Sequence, residues 1–385
     1  MNKKLVAVAV AGLFAAPVAA LAQSSVTISG LLKGGVEQLK YRNFGGGVAR
    51  AGASSSYGVV DDSSRIIFNV TEDLGGGMQA VGQLDARWAP DTGSLSGTGN
   101  SWIGIQNRNS WGRIVFGRQD VHYFNRESDL TNKNSLRADS ISLLAFAGAY
   151  GAAGAAVTPV AVANATRTPN ILHYVSPNWS GFTVIGAWTS SGTAAQDADL
   201  GSVASRGNGW NINPNYAGSN WQVGYSYWDS KTDGGAATAP KQRAHRLYGS
   251  YTFNVGGGGL KVGLAYDNSK LTANTGGATV SKRDVWSIPI GYHWGNHNID
   301  GHYTWAQKDK ATAANGLDTK ATMFAIGYAY DLSKRTSVGI TYAQINNHTN
   351  AGYAFFTSGS LGLGNVGVNA GEDPRMWGLT MRHQF

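Results

Sequence analysis

The chain has 385 residues, no cysteine and a formal net charge of +8, and only 14% of its residues are charged. The lack of cysteine excludes disulfides, cysteine-ligated metal sites and a cysteine nucleophile. A soluble domain usually carries about 25% charged residues, whereas this chain is rich in glycine and aromatic residues, with 53 Gly, 17 Tyr and 12 Trp. Its basic residues are scattered singly, so no nucleic-acid partner is expected.

The N-terminal segment has the three parts of a Sec-type signal peptide. Lys3 and Lys4 form the positive region, residues 5–16 the apolar region, and residues 20–22 the small-residue cleavage site. We therefore expect a signal peptide over residues 1–22 and a single mature domain over residues 23–385. Without the two signal lysines the 31 basic residues become 29 against 23 acidic ones, a mature charge of +6 that favours anionic partners.

Beyond the signal, apolar or aromatic side chains alternate with polar ones in segments of roughly 8 to 12 residues, which indicates strands. At the C-terminus, for example, Trp377, Leu379 and Met381 share one face, and Thr380 and Arg382 share the other. One face suits lipid and the other suits water. Sixteen such segments begin near Val26, Arg65, Met78, Asn100, Gly112, Asn170, Phe182, Gly207, Trp221, Arg243, Leu260, Asp284, His297, Ala321, Ser337 and Arg375.

The connections between these segments alternate in length. Short ones are residues 72–77, 107–111, 176–181, 254–259, 295–296 and 331–336, and long ones are residues 40–64, 120–168, 230–241 and 347–373. An even number of strands with short turns at one end and long loops at the other predicts an all-β fold, a 16-stranded antiparallel transmembrane β-barrel. A soluble β-sandwich gives no reason for this alternation. A membrane helix over residues 141–165 is disfavoured by Pro159 and the Ala/Gly-rich composition.

Strand parity also assigns the charges that face the lumen. An ionised side chain facing lipid near the bilayer midplane costs about 2–4 kcal/mol, so charge marks the inner face. The residues placed inside by this rule are Lys33, Arg65, Arg87 and Arg382, and, nearer the periplasmic end, Lys261 and Arg113. His173 shares the inward parity. No cofactor or metal site is predicted.

Several motifs resemble those of the Gram-negative trimeric general porins, in particular the β-proteobacterial and neisserial branch. They are Ser24-Ser25-Val26-Thr27-Ile28-Ser29-Gly30, Ser64-Arg65-Ile66-Ile67-Phe68, Thr71-Glu72-Asp73-Leu74-Gly75-Gly76-Gly77, Phe116-Gly117-Arg118-Gln119, Asn170-Ile171-Leu172-His173-Tyr174-Val175-Ser176-Pro177 and the terminal Phe385. The likeness extends over essentially the whole mature chain. It implies a homotrimer in the Gram-negative outer membrane, in contact with lipid and lipopolysaccharide, whose third extracellular loop folds inward and narrows the pore.

The resemblance also implies residues of the pore constriction. The inward loop corresponds to residues 120–168, and its acidic residues Glu127, Asp129 and Asp139 are expected to line the waist. Arg65 matches an inward arginine of the second strand, and Arg167 matches another at the start of the sixth. Many relatives carry a third arginine on the fourth strand, but this chain has Gly99-Asn100-Ser101-Trp102 there. Lys33 stands where many relatives have Asp, and with Arg87 it would restore the missing positive charge. His173 is often basic in relatives and completes the expected set.

A basic strip facing an acidic loop predicts passive, weakly anion-selective passage of small hydrophilic solutes. A substrate-specific channel for small anions such as organic acids or phosphate remains an alternative on the same fold. An adhesin or structural barrel is a further alternative and would lack conductance. An outer-membrane enzyme is not expected, because no Gly-x-Ser-x-Gly, P-loop or His-Glu-x-x-His motif is present.

Overall fold

The structure is a computed structural model that describes residues 24–42, 54–97, 99–122, 139–144, 151–152, 155–156, 167–190, 207–232, 241–273, 277–311, 316–356 and 368–385. The predicted signal peptide lies outside the described residues, as do Glu127 and Asp129 of the predicted constriction loop. No helix among the described residues is long and apolar enough to cross a membrane.

The described residues form twenty strands and one short helix. The strands are β1 Ser25–Arg42, β2 Ser55–Asp61, β3 Arg65–Gly75, β4 Met78–Ala89, β5 Ser94–Ser96, β6 Ser101–Asn107, β7 Gly112–Asp120, β8 Gly151–Ala152, β9 Ala155–Ala156, β10 Arg167–Val175, β11 Phe182–Thr189, β12 Gly207–Ala217, β13 Trp221–Thr232, β14 Lys241–Val255, β15 Gly258–Thr272, β16 Thr279–Trp294, β17 His297–Ala306, β18 Ala321–Asp331, β19 Thr336–Asn347 and β20 Asp373–Gln384. The helix, α1, spans Ile141–Leu144.

Eighteen of these strands belong to one antiparallel sheet, which closes because β1 pairs with β20 on one side and with β2 and β3 on the other. β2 and β3 are two parts of one wall strand, since both pair with β1 in succession, and β5 and β6 pair in the same way with β4. Among the described residues the wall therefore has sixteen strands. The strand number predicted from the alternation is confirmed, and so is its antiparallel arrangement.

One predicted loop is shorter than the sequence indicated. Residues 40–64 were expected to connect the first two wall strands, but β1 continues to Arg42 and β2 pairs with it from Ser55 to Asp61. The prediction was wrong here because the serine-rich start of β2 carries little apolar alternation. The second wall strand is thus interrupted at residues 62–64, and this interruption contributes to the site described below.

The two faces of the wall differ as the alternation predicts. Large apolar side chains are exposed on the outer face, for example Ile103 at 70% and Leu379 at 57%. On the inner face of the end that carries the long connections, apolar side chains are buried in one cluster that includes Leu39, Leu143 and Phe355. α1 lies against β17 and β18 there. The backbone N–H of Phe356 donates a hydrogen bond of 2.9 Å to Ser142 Oγ, joining two long connections.

The seam between β1 and β20 gives a test of barrel closure. A Cβ added at Gly35 would lie 1.9 Å from the carbonyl oxygen of Leu379, whereas one added at Gly186, within β11, meets nothing within 4 Å. We expect Gly35→Val to destabilise the refolded barrel by about 1–3 kcal/mol or to prevent closure, because overpacking at this seam displaces backbone. Gly186→Val is the matched control and should refold normally. Urea unfolding and heat-modifiable electrophoretic mobility measure both, and equal behaviour of the two variants would contradict the prediction.

Candidate functional site

The interruption between β2 and β3 positions a serine beside two arginines of the inner wall. The Asp61 carboxylate accepts hydrogen bonds from the backbone N–H groups of Ser63 and Ser64, at 3.0 and 3.1 Å. Ser63 has a φ of 68°, in the left-handed region that a side chain rarely adopts without such support. The backbone N–H of Lys33 donates to Ser64 Oγ at 2.9 Å, which ties the interruption to β1. The position of Ser63 is therefore fixed on both sides.

Arg65 and Arg87 lie directly opposite each other in the β3–β4 register. Arg65 donates from Nε to the Ser63 carbonyl at 3.2 Å and from Nη2 to Ser63 Oγ at 3.1 Å, and Arg87 Nη1 donates to the same hydroxyl. Arg87 also forms an ion pair of 2.7 Å with Asp85. Arg65 forms no ion pair within the part of the chain that the structure describes. Asp85, Asp120 and Asp62 act on its charge only from beyond ion-pair distance.

Arg167 begins β10 and lies near these two arginines, although β5, β6 and β7 stand between β4 and β10 in the sheet. Its Nε lies 3.2 Å from Asp120 Oδ1, across the β7–β10 pairing, and Asn100 Nδ2 donates to Asp120 Oδ2 at 2.7 Å. Arg167 is close enough to act electrostatically on both Arg65 and Arg87. We call Arg65, Arg87 and Arg167 the arginine cluster. Asn100 thus holds the carboxylate that pairs with Arg167.

Sequence parity missed one basic residue near this cluster. Arg118 is half-buried, and its charge interacts with those of Arg167 and Asp120. Gly117 has a φ of 144°, and the β7–β10 register shifts between Thr168 and Ile171. This irregularity breaks the alternation, so parity does not assign Arg118. The only signal in the sequence was its place in the Phe116-Gly117-Arg118-Gln119 motif.

Lys33 and Arg382 occupy the inner wall at the β1–β20 seam, where they are register partners. The Lys33 ammonium forms an ion pair with Asp62, and its side chain is 11% exposed. Lys33 is thus largely neutralised, so its contribution to positive charge is smaller than the sequence suggested. Arg382 is close enough to Arg65 to interact with it electrostatically.

Three other predicted lumen residues lie away from the arginine cluster. His173 is 4% exposed and pairs in register with Val115. The register shift at residues 168–171 separates it from Arg167, and it lies close enough to Arg113 to interact with it electrostatically. Arg113 lies near the β6–β7 turn with its guanidinium 4.9 Å from the centre of the Trp102 ring. Lys261 lies near the turn that begins β15. The structure therefore does not bring His173 together with Arg65.

The acidic side of the predicted constriction is only partly described. Asp139 accepts a hydrogen bond of 2.9 Å from the backbone N–H of Ile141 through Oδ1, so it caps the start of α1. Glu127 and Asp129 lie outside the described residues. An acidic loop facing the arginine cluster therefore stays a prediction. Within the described ranges, no group of three or more His, Cys, Asp or Glu side chains is placed to hold a metal ion.

A buried histidine anchors the start of the long connection after β7. His122 is fully buried, with Nδ1 2.9 Å from Ser226 Oγ on β13 and Nε2 3.6 Å from Asp267 Oδ2 on β15. Arg246 on β14 is the register partner of Asp267. Burial lowers the pKa of His122 below its ordinary value, although the hydrogen bond and charge of Asp267 oppose this shift. A neutral imidazole thus ties this connection to strands far along the chain.

A closed antiparallel barrel with an apolar outer face and a charged inner wall defines a transmembrane β-barrel protein of the outer-membrane type. Comparison with known proteins identifies the family. The sequence pattern that describes the Gram-negative porin family matches residues 7–350, and the chain belongs to this family. It is an outer-membrane porin, which confirms that it is a channel and not an enzyme.

The relatives agree in length as well as in sequence. An outer membrane porin of Bordetella pertussis is 29% identical over 88% of this chain and 92% of its own length. Outer membrane porin protein 32 of Delftia acidovorans is 27% identical over the full length of both. Among solved structures, an anion-selective porin from Comamonas acidovorans has a TM-score of 0.70 at 22% identity, covering 94% of this chain and all of that one. OmpT of Vibrio cholerae in its trimer form has a TM-score of 0.63 at 13% identity, covering 94% of this chain and 99% of that one.

The His122 contacts predict an effect of acid on the anchored connection. The pKa of a histidine released into solvent has its ordinary value of about 6.5, and burial lowers the pKa of His122 below it. Protonation of the imidazole therefore favours release of the connection. Anchoring is complete above about pH 6.5 and weakens as the pH falls toward the lowered pKa of the buried group. We expect single-channel current fluctuations to increase at about pH 5 in the wild type but not in His122→Asn. His348→Asn, which alters an exposed histidine beside Asp318, is the control and should keep the wild-type response. An acid response that persists in His122→Asn would contradict the prediction.

The Lys33–Asp62 pair predicts a change of selectivity with a defined sign. Asp62→Asn keeps the size of the side chain but removes the carboxylate that neutralises Lys33. We expect the anion-to-cation permeability ratio to rise roughly twofold, which corresponds to ~0.4 kcal/mol and to a partly screened charge contact. Reversal potentials in a salt gradient measure the ratio. Asp318→Asn, on an outer loop, should leave it unchanged, and a fall of the ratio in Asp62→Asn would contradict the assignment.

Proposed function

We propose that the chain forms a homotrimeric diffusion pore that passes small hydrophilic solutes passively and prefers anions. The observation that carries the proposal is the arginine cluster on the inner wall, in which Arg65 forms no ion pair with any described carboxylate. A net positive wall raises the local concentration of anions and replaces part of their hydration with fixed charge. A mature charge of +6, from 29 basic and 23 acidic residues, acts in the same direction.

The proposal includes the predicted constriction. Residues 120–168 form the inward third loop, and its acidic residues Glu127, Asp129 and Asp139 face the arginine cluster across the waist. The buried His122 and α1 support an inward course for the start and middle of this connection. Opposed charges across a narrow waist orient dipolar solutes as they pass. Because both signs line the waist, the anion preference is weak and the pore is not specific for one solute.

Trimerisation and export complete the proposal. The solved structures that share this fold include a porin in trimer form, and an anion-selective porin is among them. The outer face of the wall is apolar, as contact with lipid or with neighbouring copies requires. Residues 1–22 direct export, and the mature barrel inserts in the outer membrane beside lipopolysaccharide.

The deciding experiment is the reversal potential of the refolded protein in a planar bilayer under a roughly tenfold KCl gradient. We expect an anion preference in the wild type. Arg65→Glu should reduce the anion-to-cation ratio roughly fivefold or reverse it, since a change of two charges acting through water over several ångströms amounts to ~1 kcal/mol.

The control for this experiment is Arg243→Glu, which makes the same change of charge at an outward residue that is 52% exposed and paired with Asp229. It should leave the reversal potential close to the wild-type value. Cation preference in the wild type would overturn the proposed selectivity. An equal effect of the two substitutions would remove Arg65 from the waist. Saturable block of the current by a single solute would favour a substrate-specific channel instead of a general pore.

A further inference from the structure

A second basic site lies at the opposite end of the barrel from the long connections. Two short turns, between β6 and β7 and between β10 and β11, line an open cavity of 450 Å³ together with the adjoining strand ends. Its lining includes Arg108, Arg113, Asn109 and Asn178. This volume lies within the range of small-molecule sites, about 300–1,000 Å³. The cavity has the size of a binding site for a small ligand, and its lining combines these polar side chains with the apolar Val175, Pro177 and Trp179.

Arg113 is held in this cavity by an aromatic ring and not by a carboxylate. Its guanidinium lies 4.9 Å from the centre of the Trp102 ring, which is a cation–π contact. The Arg113 side chain forms no ion pair or side-chain hydrogen bond within the described residues. The N–H donors at the edge of the guanidinium are therefore available to a ligand.

Arg108 is positioned by a chain of two glutamines. Its Nε donates to Gln106 Oε1 at 3.1 Å, and Gln106 Nε2 donates to Gln79 Oε1 at 2.7 Å. This contact orients Arg108 through one nitrogen and leaves its Nη donors without a protein acceptor among the described residues. The positive charges of Arg108 and Arg113 act on each other, and no described carboxylate forms an ion pair with either. Their repulsion would be relieved by a bound anion.

This arrangement differs from the arginine cluster. There, Arg87 and Arg167 are each paired with a carboxylate, whereas both arginines of the cavity lack one within the described residues. The two sites also lie at opposite ends of β7, since Arg113 is near its start and Asp120, the partner of Arg167, is at its end.

We propose that the cavity lined by Arg108 and Arg113 is a second anion site, which binds a small oxyanion, a carboxylate or a phosphate, through the edges of the two guanidinium groups. Guanidinium groups bind such planar or tetrahedral oxyanions with paired hydrogen bonds, which chloride cannot accept in the same way. The proposal rests on the anion-preferring pore proposed above and adds a second binding site at the end of the barrel that carries the short turns. Multiple weak sites in series allow an ion to enter and leave readily.

Calorimetric titration of the refolded full mature chain in detergent, at constant ionic strength, tests the site. The probes are succinate and inorganic phosphate, which separate carboxylate from phosphate recognition. We expect saturable binding of at least one of them, weakened at least roughly tenfold in the double variant R108Q/R113Q, equivalent to ~1.4 kcal/mol. R243Q removes one outward arginine as a matched control and should bind as the wild type does.

Two further variants keep the test decisive. R113K retains the positive charge but loses the planar guanidinium over Trp102. If R108Q/R113Q does not show the heat-modifiable mobility of a folded barrel, R113K takes its place in the test. Weaker binding by R113K supports recognition by the guanidinium, and unchanged binding overturns it. Binding lost in R65Q but kept in R108Q/R113Q would place the anion at the arginine cluster and overturn the proposal.

Reversal potentials of the same proteins separate this proposal from the anion-preferring pore. Absence of saturable binding in a wild type that prefers anions would overturn the second site alone. Binding that is lost in R108Q/R113Q, in a wild type without anion preference, would support the site and overturn the proposed selectivity of the pore.

Discussion

The structure depends on the hydrogen bonding of its backbone in lipid. Each N–H or C=O group left unpaired in the hydrocarbon region costs several kcal/mol, so a sheet that crosses the membrane must close. Closure here is made by β1 and β20, and the backbone groups of Gly30 and Phe385 bond to each other at 3.0 and 3.2 Å. Once the sheet is closed, every strand has one face toward lipid and one toward the lumen. The alternation of apolar and polar side chains follows from this constraint.

Closure also determines how charge is distributed on the inner wall. Charged side chains cannot face the hydrocarbon region cheaply, so they gather inside, where like charges from neighbouring strands come close. The chain offsets much of this repulsion with carboxylates, as in the Lys33–Asp62 and Arg87–Asp85 pairs. Selectivity then depends on the charges that remain unpaired, and Arg65 is the clearest of them among the described residues. Counting basic residues on the inward parity overestimates the positive charge that a passing ion meets.

Most of the fold was predictable from the sequence, and the site only in part. The sixteen wall strands and the inward position of Arg65, Arg87 and Arg113 follow from a period of two, which persists wherever the strand is regular. The interruption at residues 62–64 and the irregular pairing around Gly117 break that period. These are the places where Ser63 and Arg118 approach the arginines, so parity gave no account of either.

The sequence by itself determined the class of structure, because alternation, an even number of strands and alternating loop lengths are local properties that closure in lipid imposes on every segment. Only the tertiary structure decided which charges neutralise one another. His122 meets Asp267, and Arg167 meets Asp120, across separations along the chain that no local pattern records. Those contacts form because closure of the barrel brings side chains from distant strands together in one lumen. The pairing of charges inside the lumen is therefore determined only once the barrel is complete.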